Sequence, residues 1–261
     1  MRIGLVSDTH GDPAAWDKAL GVLGELDLVL HAGDVLYHGI FNPILPTYEP
    51  RRLADTLNSF AVPMLHARGN CDSEVDQLAL DNHILSDFAF ASAEGTRILV
   101  CHGHRNSEQE LAKLAARGDI QMILRGHTHV PGIVATGGVT IVNPGSCSLP
   151  KQDGDVPTAG LLEDKKITIF DVESGDVYAE GELARLQAFC TLPAFRHFEQ
   201  TRAVRGLPST TILILCTFGV QRRLVFLCEW LTLKPKLGFF PHISQTFDTI
   251  SPSHAKCENG A

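Results

Sequence analysis

The sequence is poor in the features that mark several common protein classes. Its seven cysteines form no CxxC pair and no even framework of the kind seen in short secreted chains, so reduced thiols are expected. Positive charge is scarce: 22 Lys and Arg stand against 30 Asp and Glu, with a net charge of −8 and a pI near 5.8. That balance leaves no electrostatic footprint for nucleic acid or an anionic membrane. Long apolar runs are missing too. The longest, Thr211 to Val220 and Leu224 to Leu233, are separated by Gln221, Arg222 and Arg223, and neither reaches the roughly 20 residues of a membrane span. The run Ile3 to Val6 is too short for a signal-peptide core and ends at Ser7 and Asp8. A cytoplasmic protein is expected, with no internal repeat.

What is present is a globular composition, 44% hydrophobic and 20% charged over 261 residues, enough to bury the core of one large or two small domains. The composition shifts near residue 181. Residues 1–180 carry 13 Lys and Arg against 25 Asp and Glu, whereas residues 181–261 carry 9 against 5, together with 8 of the 13 Phe. The later part shows no sustained strand or helix period. Residues 1–181 are therefore expected to be the functional domain, and 182–261 a C-terminal extension of uncertain structure: an irregular tail, an added helical segment or a stretch without designed structure. The apolar run Ile212 to Leu215 would be an aggregation liability if exposed.

In the first part, strands and helices alternate. Arg2 to Val6, Leu28 to His31, Val62 to Ala67, Ile98 to Cys101 and Met122 to Leu124 read as strands. Helices are expected after the Asp12-Pro13 start signal, through Leu53 and Leu57, and over Leu111 to Arg117. Strands alone follow: Ile133 to Ala135, Val139 to Val142, Ala159 to Leu162, Ile167 to Phe170, and Val177 to Tyr178. This order suggests two sheets packed face to face with helices outside.

Each polar cluster sits just after a strand, where open α/β sheets bind ligands. The clusters are Asp8 with His10, Asp34, Asn70, His102, and His127 with His129. Carboxylate, amide and imidazole donors without a thiolate requirement suit two divalent ions such as Mn, Fe or Zn. Two ions roughly 3.5–4 Å apart can bind a phosphate and make a nucleophile of water, so phosphoester hydrolysis by metal-bound hydroxide is the implied reaction. The paired residues in Asp8-Thr9-His10 and His127-Thr128-His129 lie two apart, which in extended backbone points both side chains the same way. The glycines of Gly33-Asp34, Gly69-Asn70 and Gly126-His127 leave room for sharp turns in a crowded site.

The motifs SDTHGD, GDV, GNCD, HGH and GHTHVP, in that order, resemble the five motifs of the calcineurin-like metallophosphoesterases. GDVLYHG, GNCDSEVDQ and NPGS are most similar to the small bacterial phosphodiesterases of the YfcE type. The resemblance covers about residues 1–181 and implies a four-layered α/β/β/α sandwich. It also implies that Asp8, His10 and His129 hold one ion, Asn70, His102 and His127 the other, and Asp34 bridges them. Mn is the ion it favours, with Fe, Zn or Ni as alternatives, and a small phosphodiester is the substrate it implies. Many relatives carry His after the Asn of the GN motif, where it can protonate a leaving alkoxide; here Cys71 stands there, with His104 as the substitute to test.

Taken singly, these residues have ordinary readings. Asp34 and Asn70 after glycine are commonly turn residues. His31, His38, His66 and His83 read as core, turn or surface histidines, with His38 the one best placed to face substrate. Asn143 to Ser146 reads as a turn, or as support for the ligands. Rival functions are a phosphomonoesterase, a nucleotide pyrophosphatase, or a non-catalytic scaffold like the retromer subunit that resembles this fold. Whether the chain assembles with copies of itself is left open.

Overall fold

A computed structural model describes residues 1–184 and, beyond them, only the two-residue strands Gly219–Val220 and Arg223–Leu224. The expectations for the rest of the C-terminal extension, including the run Ile212 to Leu215, lie outside the described residues.

The order of elements is β1 (Arg2–Val6), α1 (Pro13–Leu23), β2 (Leu28–His31), α2 (Pro50–Ser59), β3 (Met64–His66), α3 (Glu74–Ala79), β4 (Ala89–Ala93), β5 (Thr96–Val100), α4 (Glu108–Gly118), β6 (Met122–Leu124), β7 (Gly132–Thr136), β8 (Val139–Asn143), β9 (Thr158–Glu163), β10 (Lys166–Asp171) and β11 (Val177–Glu182). One sheet runs β11-β10-β9-β1-β2-β3 and the other β4-β5-β6-β8-β7. Strands β1, β2 and β3 are mutually parallel, as are β5, β6 and β8, and the antiparallel strands flank them. In the second unit of the chain, β12 (Gly219–Val220) and β13 (Arg223–Leu224) pair antiparallel.

Strand alternation builds the layers, because successive side chains point to opposite faces. In β5 and β6, Ile98, Val100, Met122 and Leu124 meet Ile3, Leu5 and Leu30 of the first sheet in a core between the sheets. The intervening Leu99 and Ile123 turn outward onto Leu111 and Ala115 of α4. On the opposite side, Trp16, Ala19 and Leu23 of α1 with Leu53 and Leu57 of α2 cover Val6, Val29 and Leu161. Burial on both faces explains why these strands read as continuous apolar runs and not as alternating ones. The result is helix, sheet, sheet, helix, which bears out the expected four-layered α/β/β/α sandwich.

Helix starts follow capping chemistry. The Asp12 carboxylate accepts from the Ala15 amide ahead of Pro13, and Ser107 with Glu110 forms a reciprocal capping box on α4. Two elements of residues 1–184 were not foreseen. Helix α3 has no buried residue and so no apolar period to reveal it; it rests on a capping box between Ser73 and Asp76. Strand β4 pairs with β5 at the edge of the second sheet, with the sequence AFASA. No helix among the described residues is long and apolar enough to cross a membrane.

Candidate metal centre

The loops after β1, β2, β3, β5 and β6 leave the sheets at one rim and bring the predicted residues together. Asp8, His10, Asp34, His102 and His129 are buried, whereas Asn70 and His127 are exposed. One donor atom from each of Asp8, His10 and His129 lies within 4.8 Å of the others, and the same holds for Asp8, Asp34 and His102. Asp34 Oδ2 lies 3.8 Å from His10 Nε2 and 3.3 Å from His102 Nε2, between the two groups. On the exposed side, Asn70 Oδ1 sits 3.0 Å from His102 Nε2, and the His127 ring meets the His102 ring edge-on at 5.1 Å.

The backbone departs from expectation. Asp8, His10, His127 and His129 are not in extended segments; their φ angles are 54°, 44°, 72° and 59°, and Asp34 has φ 59°. Left-handed turns, not strand alternation, aim each pair inward. Such a conformation costs a non-glycine residue about 1–2 kcal/mol, and these five account for half of the ten positive-φ non-glycine residues described. Surrounding bonds hold them. Asp8 N donates to Gly33 O at 3.0 Å and His10 N to Asp34 O at 3.1 Å. Ser146 Oγ donates to Asp8 O at 2.7 Å, and Asn143 Nδ2 donates to Gly126 O at 3.0 Å. The Asn143–Ser146 turn therefore supports the cluster, the sharper of its two readings. The loops also approach too closely for side chains at two glycines: a Cβ on Gly69 would lie 2.3 Å from Asp34 N, and one on Gly126 would lie 2.5 Å from Asp8 Oδ2.

Asp72 holds two of these loops and was given no role from the sequence, although it closes the GNCD motif. Its buried carboxylate accepts from the amides of Asp34, Val35 and Gly69 at 2.9, 2.8 and 2.7 Å, tying the turn after β2 to the turn after β3. Burial pushes its pKa up to about 6 against those three amides, and the charge of Asp34 adds to the rise.

The imidazoles are oriented by carbonyls. Nδ1 of His10 lies 2.7 Å from Tyr37 O, Nδ1 of His102 lies 2.8 Å from Ala32 O, and Nδ1 of His129 bonds Leu149 O. A carbonyl only accepts, so each Nδ1 carries the proton and each Nε2 turns to the cluster. Burial lowers the pKa of both His10 and His129, the latter to about 4, so their Nε2 atoms are bare lone pairs. Those two atoms face each other at 3.3 Å. Asp8 Oδ1, buried and without any hydrogen-bond partner among the described residues, stands 3.3 Å from His129 Nε2. Three acceptor atoms converging with no hydrogen-bond donor among the described residues between them fit a cation. The carboxylates press the same way on His102: burial lowers its pKa, but Asp34 and Asp8 outweigh burial and raise it to about 9. Burial and the Asp34 charge raise Asp8 to about 7 against the pull of His102, whereas the bonds and charge of His102 and the Cys71 amide hold Asp34 low despite burial.

The two candidate proton donors lie on different sides. Cys71 lines a cleft of about 730 Å³ beside the cluster, and its thiol is pushed up, first by burial and then by the charge of Asp34. His104 lines a separate depression of about 150 Å³ with His102, Arg68 and Arg105, and its buried Nδ1 has no partner among the described residues. The larger cleft is also lined by Asp34, Asn70, His127, His129, Tyr37, Ile40, Phe41, Val75, Asp76 and Lys151. Lys151 was not singled out from the sequence. His38 is absent from that lining; its ring lies between those of Tyr37 and Tyr48.

Comparison with known proteins gives a consistent picture. The model of the calcineurin-like phosphoesterase superfamily domain matches residues 1–166. The chain is 31% identical over 182 residues to phosphodiesterase YfcE of Escherichia coli K12, spanning 69% of this chain and 97% of that protein. It is 26% identical over 174 residues to a phosphodiesterase of Methanocaldococcus jannaschii, spanning 64% and 95%. Among solved structures, E. coli YfcE aligns with a TM-score of 0.63 at 28% identity, covering 70% of this chain and all of that one. Vps29 of Entamoeba histolytica aligns at 0.51 with 21% identity, over 70% of this chain and 99% of that one, a likeness of fold alone.

Proposed function

Because the chain belongs to the calcineurin-like phosphoesterase superfamily, we propose that it is a metal-dependent phosphoric diester hydrolase acting on small phosphodiesters through a binuclear centre. The observation that carries this reading is the convergence of the unpartnered Asp8 Oδ1 with two bare imidazole nitrogens. Asp8, His10 and His129 would hold one divalent ion, Asn70, His102 and His127 the second, and Asp34 would lie between them. Manganese is the ion we propose. When bound, such ions polarise the phosphate and lower the pKa of water to near neutrality.

The chain's own residues do the rest. The carbonyls of Tyr37, Ala32 and Leu149 keep each Nε2 aimed inward, so little reorganisation accompanies binding. Asn70 and His127, facing the cleft, are placed to meet the phosphate side. Lys151 is the cleft's single Lys or Arg among the described residues, against the carboxylates of Asp34 and Asp76. One added positive charge suits a monoanionic diester better than a dianionic monoester, which favours the diester reading over its rival. Cys71, held as a neutral thiol, is a weak proton donor, so diesters with acidic leaving groups should turn over best.

Residues 1–181 form the proposed catalytic domain. Leu183, just beyond, is buried in the core between the sheets, so a truncated chain should extend through Ala184. We place the protein in the cytoplasm on its cysteine pattern. The test is hydrolysis of bis(p-nitrophenyl) phosphate against p-nitrophenyl phosphate by chelator-treated full-length protein, with and without Mn. Metal-dependent cleavage favouring the diester supports the reading. Preference for the monoester would support the phosphomonoesterase instead, and failure to bind metal would support a scaffold.

A further inference from the structure

We propose that the depression beside His104 is an oxyanion subsite, and that the substrate is a phosphodiester whose ester substituent carries a second anionic group, a carboxylate or a phosphate. The inference rests on the diesterase reading above and names its substrate class.

The depression is separate from the larger cleft: His102 belongs to its lining, but Asn70, Cys71, His127 and Lys151 do not. The centre is still close. The His104 ring lies 5.4 Å from the His102 ring and 5.9 Å from the His127 ring, so one layer of imidazoles separates the depression from the exposed side of the cluster. A short ester arm spans that gap.

Unpaired donors mark the site. Arg68 and Arg105 both line it, in a region whose residues 1–180 carry 13 Lys and Arg against 25 Asp and Glu. Of the eight arginines described, only Arg68 and Arg117 form no ion pair among the described residues, and Arg117 is exposed whereas Arg68 is half-buried. Arg68 Nε donates to Asp72 O at 3.3 Å, which leaves the two terminal nitrogens of the guanidinium to face an occupant. His104 adds a buried Nδ1 without a partner among the described residues, and Asn106 adds a side-chain amide. The one carboxylate of the lining, Asp87, is already held by Arg105 Nη1 at 2.8 Å.

That inventory selects the occupant. Two guanidiniums exclude a cation, and an apolar group would desolvate the Arg68 fork and His104 Nδ1 while giving them nothing to bond. A carboxylate or phosphate oxygen pair accepts from the fork and supplies the charge that a half-buried arginine lacks. Size agrees. About 150 Å³ equals some five water molecules at ~30 Å³ each and is half the ~300 Å³ at the low end of small-molecule sites, so the depression holds a charged group and not a base or a sugar.

The experiment compares p-nitrophenyl diesters that share phosphate and leaving group on the Mn-supplemented full-length chain: the 2-carboxyethyl ester, its neutral isostere the 2-carbamoylethyl ester, and the 2-phosphonoethyl ester. kcat/KM should favour the carboxylate over the amide by ~10- to 150-fold, the scale of a hydrogen bond to a charged group, and the phosphonate should side with the carboxylate. Arg68→Gln should bring the carboxylate-to-amide ratio close to one. Arg105→Gln should lower the ratio as well; its side chain bonds nothing in the loops after β2 and β3, so a fall there is not a disturbance at Asp72. Lys151→Gln removes a charge in the other cleft and should leave the ratio unchanged, which separates a local site from general attraction. A second readout needs no turnover: calorimetry on chelator-treated protein should show 2-carboxyethyl methyl phosphate binding more tightly than its carbamoyl isostere, and Arg68→Gln should remove the difference. A ratio near one in the parent, or one that neither arginine variant lowers, overturns the proposal. Acetate binding that depends on Arg68, with a ratio near one, makes the depression a site for a free anion and overturns the substrate assignment. Failure to cleave any of the esters with metal bound overturns the diesterase reading, whereas the calorimetry on metal-free protein decides the oxyanion site independently.

Discussion

The buried and exposed halves of the cluster use the same chemistry but are held differently. His10, His102 and His129 are enclosed and each is fixed through Nδ1 by a backbone carbonyl. Asn70 and His127 open onto the cleft; the His127 amide bonds Asp8 Oδ2 at 3.0 Å, and the Asn70 amide group bonds Cys71 Sγ. The buried half sets where charge sits. The exposed half and the loop that carries Phe41 line the cleft that opens beside it. Enzymes of one fold can then share a centre and differ in cleft.

The largest effect should come from the residue between the halves. Asp34→Asn removes a carboxylate charge while keeping its shape, and should lower kcat/KM for bis(p-nitrophenyl) phosphate by at least ~100-fold, above the ~10–100-fold typical of outer partners. Circular dichroism should show the fold retained, and activity above a few per cent would break the assignment. Asp72→Asn tests the anchoring itself. It loosens the clamp between the loops after β2 and β3, so Mn affinity measured by calorimetry should fall by ~10–100-fold.

A third test compares the anchored imidazoles with an unanchored one, His66, outside the cluster. The His66 ring stacks on the His31 ring at 5.3 Å, both His66 nitrogens are buried without partners among the described residues, and burial holds its pKa at about 4. A depressed histidine pKa means that the unfolded chain takes the proton first. Stability is therefore full above pH 6.5 and falls as pH drops toward 4. Between pH 7 and 5 the loss from His66 should be about 2 kcal/mol. Urea unfolding of His66→Leu should show that much less acid sensitivity than the parent.

The smallest expected effect lies in the cleft. Cys71→His should raise turnover of diesters with poor leaving groups by ~5–10-fold, below the ~10²–10⁴ of a fully evolved general acid. If leaving-group dependence does not change, His104→Ala is the next variant to measure.

Much of the fold was legible because apolar runs end in polar clusters: the expected limits of β1, β2 and β6 coincide with the observed ones. Helix α3 was not legible because it buries nothing, and the AFASA stretch of β4 carries little strand signal. Within the site, residue identity at five strand ends indicated which side chains would converge. It misjudged how they do so, since the left-handed backbone at Asp8, His10, His127 and His129 depends on bonds from loops distant in the chain.

Amino-acid identity alone determined the layered class, the rim at which chemistry gathers and the donor types, because periodicity and side-chain chemistry are local properties. Only the tertiary structure decided that Asp72 clamps two loops, that three carbonyls fix the imidazole tautomers, and that Ile40, Phe41, Val75 and Lys151 share a cleft. Each of those facts is a distance between segments far apart along the chain, which packing of the two sheets brings within a hydrogen bond of one another or onto one surface.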